Sequence, residues 1–388
     1  MPQATTFNAE EAVRKRYSRA ARAKERDLCC PVGYDPRYLE VIPAEILERD
    51  YGCGDASQFL RPGDVVLDLG SGAGKTCYIA AQIVGPTGKV IGVDFNPEML
   101  ALGRKHQSAI AAKLGYDNVV FHRAYIQDLA LPLDEVEACL KTRPVRTTEQ
   151  LAEFEIFAQR LRASAPVVPD ESVDVVISNC VLNLVPDADK PRLFSEIYRV
   201  TKRAGRVAIS DIVSDEDVPP EMKNDPKLWS GCLAGALRED EFLEAFERAG
   251  FYGIRLARRD QEPWRVVRGI QFRSVTVTAH KGKDGPCLER RQAVIYQGPW
   301  KEVRDDDGHV LHRGRRMAVC DKTYQILTRP PYAGDIIAVP PLRDVPLSKA
   351  RKFACHGASL RDPRETKGGR YRKTTSSGSG QCGPGNCC

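Results

Sequence analysis

The sequence DVVLDLGSGAGKT at 64–76 is the clearest indication of the fold class. Its first half is an apolar run typical of a strand buried on both faces, and its second half is a glycine-rich turn that opens a helix. A helical stretch, KTCYIAAQIVG at 75–85, leads to a second strand, KVIGVDF at 89–95. Strands and helices go on alternating as far as RVAISDIV at 206–213. This alternation predicts an α/β fold with a doubly wound, Rossmann-like parallel sheet.

The glycine turn is compatible with two classes of ligand. A phosphate-binding loop requires the pattern G-x-x-x-x-G-K-[ST]. Gly74, Lys75 and Thr76 match the end of that pattern, but Leu69 stands where its first glycine must be. A nucleotide hydrolase is therefore disfavoured. The second class is a nucleoside-containing ligand that lies against the backbone of a tight turn at the end of a strand, and the spacing of the glycines favours it.

Side chains near the ends of the next two strands extend this site. Asp94 ends the second strand, where a carboxylate can accept hydrogen bonds from both ribose hydroxyls. Gln127 and Asp128 follow the third strand, within reach of an adenine ring. Together these motifs resemble those of the class I S-adenosylmethionine-dependent methyltransferases, which implies S-adenosylmethionine as the methyl donor. The predicted cofactor-binding residues are Asp68, Gly70, Ser71, Gly72, Gly74, Asp94, Phe95, Gln127, Asp128 and Asn179.

Charge and hydropathy narrow the classes of partner. The formal net charge of the 388 residues is +6, but nine Lys/Arg and only two Asp/Glu follow residue 345, so the rest is almost neutral. A basic tail is not a basic binding face, and we expect no nucleic acid. No apolar run approaches the roughly eighteen residues of a membrane span, and the N-terminus lacks the apolar core of a secretory signal. We expect a cytoplasmic monomer without a membrane partner, since nothing marks a self-pairing face.

The thirteen cysteines are the unusual part of the composition. A cytoplasmic chain keeps its thiols reduced, so soft-ligand binding or redox chemistry is favoured over a disulfide framework. We predict no structural zinc, because no C-x₂-C pair exists and the candidate cysteines lie far apart. Taken singly, each thiol is more simply a small buried hydrophobe. Four contexts stand out as a group: LCCP with Cys29 and Cys30, YGCG with Cys53, SNCV with Cys180, and WSGC with Cys232.

Two of these contexts suggest a location. Cys180 follows Asn179 at the end of a parallel strand, which is the edge of the sheet where ligands bind. Cys53 lies between Gly52 and Gly54, which suggests a thiol on an exposed or mobile loop. Asp211, near the end of another strand, is expected to be structural or capping.

Five motifs point to one family: YGCG (51–54), LDLGSGAGK (67–75), SNCVLNLVPD (178–187), LWSGCLAGAL (228–237) and QAVIYQG (292–298). Over about residues 25–345 the sequence resembles the arsenite S-adenosylmethionine methyltransferases. The resemblance implies that Cys180 and Cys232, together with Cys53, hold trivalent arsenic during methylation. It also implies that Cys53 and Cys29 or Cys30 are redox-active partners. An external thiol, glutathione or thioredoxin, would reset them, and the methylated products would serve arsenic detoxification.

Three departures from the family pattern indicate a divergent branch. The segment at 31–50 is unlike the common form, the insert at 132–169 is long, and Leu182 stands where many members have another cysteine. Two other functions stay open. One is a methyltransferase acting on carbon, nitrogen or oxygen, with the cysteines as packing. The other is a protein that binds a metalloid without turnover.

Changes of pattern divide the chain into five parts. The insert carries many charges and helix formers, which predicts one or two surface helices. The end of the chain is poor in apolar residues and of low complexity, which predicts disorder. Its Cys382, Cys387 and Cys388 either carry electrons or metalloid to the site or are incidental. The parts are a helical, cysteine-containing segment at 1–60, the methyltransferase domain at 61–215, an arsenic-binding α+β domain at 216–286, a small mostly β domain at 287–345 and the basic tail at 346–388.

Overall fold

The computed structural model describes residues 7–28, 32–355 and 359–366. The chain forms two compact units, unit 1 at Met1–Gly282 and unit 2 at Lys283–Cys388. The helices are α1 Ala9–Ala20, α2 Ala44–Leu47, α3 Lys75–Val84, α4 Pro97–Leu114, α5 Leu133–Thr142, α6 Thr148–Ser164, α7 Lys190–Val200, α8 Pro220–Lys223, α9 Pro226–Ser230, α10 Glu239–Arg248 and α11 Asp321–Leu327. The strands are β1 Val65–Leu69, β2 Lys89–Asp94, β3 Val119–Arg123, β4 Val173–Asn179, β5 Thr201–Ser214, β6 Tyr252–Arg259, β7 Arg265–Val267, β8 Ile270–His280, β9 Leu288–Glu289, β10 Ala293–Tyr296, β11 Glu302–Arg304, β12 Val310–His312, β13 Arg316–Ala318, β14 Ile336–Val339 and β15 Arg351–Lys352.

Unit 1 is built on one sheet with the strand order β3-β2-β1-β4-β5-β8-β6, and β7 pairs with β8. The strands β1 to β5 run parallel to their neighbours among themselves, which confirms the predicted α/β sheet. The strands β6, β7 and β8 pair antiparallel and extend it. The chain reverses its direction of winding between β1 and β4. In such sheets this switch point opens a crevice at the carboxyl ends of the strands.

Local signals explain where the elements begin and end. Most residues of β1 and β4 are buried, as expected of parallel strands covered on both faces. The helix α4 is capped by Asn96, whose side chain accepts hydrogen bonds from two backbone N–H groups, and Pro97 is its first residue. The helix α7 ends at Val200, because Thr201 already belongs to β5 and pairs with β4.

The long insert folds as the two helices α5 and α6. Thr147 and Gln150 form a capping box at the start of α6, which satisfies two backbone donors reciprocally. Near the other end of α6, Arg162 reaches the carboxylate of Asp128 at 2.8 Å. This ion pair ties the insert to the segment that follows β3.

Unit 2 is mostly β, with the sheet β13-β10-β14, the pairs β11-β12 and β15-β9, and the helix α11. The strand β15 lies in the stretch that we predicted to be disordered from residue 346, and it pairs with β9. Arg361, farther along, reaches Glu289 at 2.8 Å. The prediction of disorder is therefore wrong for the described part of this stretch. Cys382, Cys387 and Cys388 lie outside the described residues.

None of the helices in the described ranges is both long enough and apolar enough to cross a membrane.

Candidate active site

Unit 1 has a cavity at the carboxyl ends of β1, β2 and β4, beside the switch point of the sheet. The space outside the protein atoms there is about 1020 Å³, a volume that includes open solvent. Eight of the predicted cofactor-binding residues line it: Asp68, Gly70, Ser71, Gly72, Asp94, Phe95, Gln127 and Asn179.

The glycine turn brings the backbone to the cavity. Gly70 has a φ of +67°, and a Cβ there would lie 2.4 Å from a methyl group of Val181. The backbone N–H of Gly72 donates to Asp94 at 2.9 Å. Burial raises the pKa of the Asp94 carboxyl to about 6. The turn and the end of β2 are thus held together by the carboxylate that was predicted to bind a ribose.

Two further polar groups of the cavity favour a charged, hydrogen-bonding ligand. Asp68 is only 3% exposed and accepts a hydrogen bond from the thiol of Cys77 at 3.2 Å. Burial raises the pKa of Asp68 to about 7, which a cation placed beside the carboxylate would lower again. The hydroxyl of Ser71 is buried and has no hydrogen-bond partner in the described chain. A ligand would supply that partner.

Two of the predicted cofactor-binding residues lie outside the cavity lining and make structural contacts. Gly74 precedes α3 with a φ of +84°, and a Cβ there would lie 2.6 Å from the ring of Phe121. Asp128 pairs with Arg162 at 2.8 Å and with Arg192 at 2.7 Å. Neither Gly74 nor Asp128 lines the cavity. Tight packing and ion pairing account for these two residues.

The helix α1 contributes cavity residues that the sequence analysis missed, namely Glu10, Val13 and Tyr17. Gln127 donates a hydrogen bond to Glu10 at 3.2 Å, which joins α1 to the segment after β3. Burial raises the pKa of Glu10. The spacing of Val13 and Tyr17, four residues apart on one helix face, was the available signal.

Lys75 also lines the cavity and was not predicted as a site residue. Its ammonium lies 2.8 Å from Asp50 and 3.8 Å from the centre of the Tyr34 ring. The charge of Lys75 is therefore already balanced beside the glycine turn, which agrees with the exclusion of a phosphate-binding loop.

The predicted thiols converge next to this cavity. The ligand atoms of Cys53, Cys180 and Asp211 lie within 4.8 Å of one another, and all three residues are buried. The thiol of Cys232 donates to the backbone carbonyl of Cys180 at 3.1 Å. Cys180 also lines the cavity. Cys29 and Cys30 lie outside the described residues.

Asp211 lies beside the thiols, although we expected only a structural or capping role for it. Its carboxylate accepts hydrogen bonds from the backbone of Leu182 and of Ile212, each at 2.8 Å. Burial raises its pKa to about 6. The residue therefore caps the turn after β4 and also borders the thiol pair.

The Cys53 loop is buried, and the prediction of an exposed or mobile loop is wrong. Cys53 is 4% exposed. A Cβ at Gly52 would lie 2.2 Å from the side-chain nitrogen of Asn179, and one at Gly54 would lie 2.5 Å from the hydroxyl of Ser210. The carbonyl oxygen of the Asn179 side chain accepts from the backbone N–H of Cys53 at 2.7 Å. The two glycines therefore permit a close approach to the sheet.

Cys180 and Cys232 both have a left-handed backbone, with φ values of 63° and 61°. For a residue with a Cβ this conformation costs about 1–2 kcal/mol, and such strain concentrates at functional sites. Asn183 stabilises the arrangement by donating from its side chain to the carbonyls of Ile212 at 2.6 Å and Cys232 at 3.2 Å.

Known proteins resemble the chain over most of its length. A family model described as a methyltransferase domain matches residues 60–142 and 146–250, and a domain of unknown function matches 283–371. The arsenite methyltransferase of Aquipseudomonas alcaligenes is 32% identical over 317 residues, which cover 77% of this chain and 81% of that protein. The chain belongs to the arsenite methyltransferase family.

Other members of the family agree. The human arsenite methyltransferase is 30% identical over 84% of this chain and 79% of its own length. The crystal structure of an arsenic(III) S-adenosylmethionine methyltransferase from Chlamydomonas reinhardtii is similar with a TM-score of 0.54 at 26% identity, covering 86% of this chain and all of that one. The family predicted from the five sequence motifs is confirmed.

Proposed function

We propose that this protein transfers a methyl group from S-adenosylmethionine to trivalent arsenic held by the thiolates of Cys53, Cys180 and Cys232. One observation carries the proposal: the thiols of Cys53 and Cys180 lie within 4.8 Å of each other, and Cys180 also lines the cavity beside the glycine turn. A thiophilic substrate bound at Cys180 would thus border the donor.

The cavity residues have distinct tasks toward the donor. S-adenosylmethionine would supply an electrophilic methyl group on a sulfonium. Asp94 would accept hydrogen bonds from ribose hydroxyls, and Asp68 would balance positive charge. The hydroxyl of Ser71, which has no partner in the described chain, would form a hydrogen bond with the methyl donor. Phe95 and Tyr125, whose rings are stacked at 5.7 Å, offer apolar ring surface for the base.

The thiolates hold the substrate arsenic with its lone pair free. Because the lone pair is the nucleophile, no proton has to leave and no general base is required. Fixing two reactants in line can supply roughly 7–11 kcal/mol of the barrier reduction. The strained but well-supported backbones of Cys180 and Cys232 suit this positioning task.

The electron balance requires a reductant. The lone pair forms an arsenic–carbon bond as the sulfur–carbon bond breaks, so arsenic becomes formally pentavalent. Two thiolates would return it to the trivalent state by donating two electrons and joining as a disulfide. Cys53 with Cys29 or Cys30 is the proposed pair. Glutathione or thioredoxin would then reduce the disulfide by thiol exchange. Both reductants suit a protein that works as a monomer in the reducing cytoplasm. There, methylation would serve to detoxify arsenic.

A turnover assay tests the proposal. The full chain is incubated with arsenite, S-adenosylmethionine and glutathione or thioredoxin, and the arsenic species are separated and identified by mass. We expect methylated arsenic in proportion to the donor consumed, and none when the donor is omitted. Absence of methylation with both arsenite and methylarsenite, while the donor still binds, would contradict the proposal in favour of another small-molecule substrate.

The raised pKa of Asp68 predicts that donor binding depends on pH. A cationic ligand binds the carboxylate better than the protonated acid, so binding below a pKa of about 7 releases a proton. Affinity should therefore fall as the pH falls, with a Kd about fourfold weaker at about pH 6.5 than at pH 8. Calorimetric titration with S-adenosylmethionine at both pH values measures the change.

The matched variant for this prediction is Asp68→Asn. It should bind the donor more weakly at pH 8 and show little further loss at pH 6.5. The other cavity carboxyls are Asp94, with a pKa of about 6, Glu10, whose pKa is also raised, and Asp50, which pairs with Lys75. A full pH dependence in Asp68→Asn would assign the effect to one of them.

A further inference from the structure

A second group of thiols lies in unit 2. The sulfur atoms of Cys287, Cys320 and Cys355 lie within 4.8 Å of one another, with Cys320 fully buried and the other two partly buried. More than thirty residues separate each of them from the next in the sequence. The fold, rather than a local motif, brings them together.

Three segments of unit 2 converge to make the cluster. Cys287 directly precedes β9, and Cys355 follows β15, the strand that pairs with β9. The backbone N–H of Phe353 donates to the carbonyl of Cys287 at 2.9 Å, so the two ends are fixed to each other. Cys320 directly precedes α11, the third of these segments.

Polar contacts between protein groups hold these segments together. Arg290, directly after β9, reaches Asp321 in the first position of α11 at 2.9 Å. The same guanidinium donates to the carbonyl of Val345 at 2.6 Å. Since this scaffold does not depend on the thiols, the three sulfur atoms are positioned in advance, which lowers the cost of binding a ligand.

The thiol of Cys320 is further prepared to bind as a thiolate. It accepts a hydrogen bond from the backbone N–H of Thr323 at 3.4 Å and lies 3.2 Å from the hydroxyl of the same residue. Donors aimed at a sulfur stabilise its charged form. No histidine or carboxylate within the described ranges shares this cluster.

The spacing of the sulfur atoms suits one small thiophilic ion. Around tetrahedral Zn²⁺, with Zn–S distances of about 2.3 Å, two sulfurs lie about 3.8 Å apart. Sulfur atoms that lie within 4.8 Å of one another would therefore approach by about 1 Å at most. Trivalent arsenic is likewise thiophilic, and three thiolates would complete its coordination. The chemistry common to both is soft-ion binding by sulfur alone.

We propose that Cys287, Cys320 and Cys355 form a second site, in unit 2, that binds one thiophilic ion through three thiolates. Zn²⁺ and trivalent arsenic are the two sources of this chemistry. The proposal goes beyond the methyl-transfer function and does not rest on it, because it uses none of the cysteines assigned to methylation.

The experiment uses the full wild-type chain with its thiols reduced. It is alkylated with iodoacetamide alone, with Zn²⁺ or with arsenite, and each cysteine is followed by peptide mass mapping. Only the ion-free fraction reacts, so an ion at about 100 times its Kd should slow alkylation of Cys287 and Cys355 by about 100-fold. Cys139 on α5, also partly buried, is the internal control and should react at the same rate in all samples.

The outcomes separate the two ions. Protection by Zn²⁺ alone would make this a zinc site, and protection by arsenite would make it a second arsenical site. Unchanged alkylation of Cys287 and Cys355 with both ions would overturn the proposal. The triple variant Cys287→Ser/Cys320→Ser/Cys355→Ser should bind one ion fewer per chain than Cys139→Ser, whereas equal stoichiometry would also overturn it. The wild-type mapping stands even if the triple variant does not fold.

Discussion

Replacing Cys180 by serine should lower arsenite methylation by about 100-fold or more, because loss of one ligand frees the arsenic from its alignment with the donor. A hydroxyl is a hard ligand and a poor substitute for a thiolate toward arsenic. The Kd for S-adenosylmethionine should change little, since serine has nearly the same shape. Turnover of arsenite and calorimetric binding of the donor measure the two effects separately.

Cys232→Ser sharpens this test. Its thiol donates to the carbonyl of Cys180, a bond that a serine hydroxyl can also make. A comparable loss of turnover in Cys232→Ser would therefore mark a ligand rather than a positioning residue. Cys139→Ser, with the same exchange on α5, should keep full activity. If Cys180→Ser retains methylation activity, the thiols have only a packing role, and a substrate methylated on carbon, nitrogen or oxygen is favoured.

Asn179→Ala should reduce turnover by about 100-fold while leaving the Kd for the donor within a few-fold of the wild type. Its side chain accepts from the N–H groups of Cys53 and Gly54 and donates to the hydroxyl of Tyr34 and the carbonyl of Gly54. Each buried group left without a partner costs about 1–3 kcal/mol, so the melting temperature should also fall. The Cys53 thiol would lose its position opposite Cys180.

The matched control is Asn118→Ala. Asn118 also donates from its side chain to two backbone carbonyls of unit 1, those of Ala81 and Gly85, but it does not line the cavity. It should lose stability without losing turnover per folded molecule. If Asn179→Ala weakens donor binding in proportion to turnover, the cofactor role that we first predicted for Asn179 would be the correct one.

The sheet could be predicted because its signals are local. A strand such as β1 is a continuous apolar run, and Asn96 with Pro97 marks the start of a helix at neighbouring positions. The glycine turn and Asp94 are equally local, and both line the cavity. These features follow from short stretches of chain, in which the required backbone conformation selects the residue type.

The rest depends on contacts between distant segments. Gly52 resembles a glycine of a flexible loop until Asn179, more than a hundred residues away, is seen to occupy the space where its Cβ would be. Asp211 lies near the thiols only because β5 pairs with β4. The cluster of Cys287, Cys320 and Cys355 has no spacing that a zinc pattern would recognise. In each case the sequence shows the residue but not its neighbour.

The left-handed backbone at Cys180 and Cys232 costs stability at the two positions where the proposed chemistry needs a thiol. Glycine adopts a positive φ without the Cβ penalty, a difference of about 1–2 kcal/mol at each position. A mutant library sorted only for survival on heating would therefore have no reason to keep cysteine at either position. The same library sorted for arsenic methylation would return cysteine there. Directed evolution of a hardier form of this protein would have to hold these two codons constant and seek its gains elsewhere.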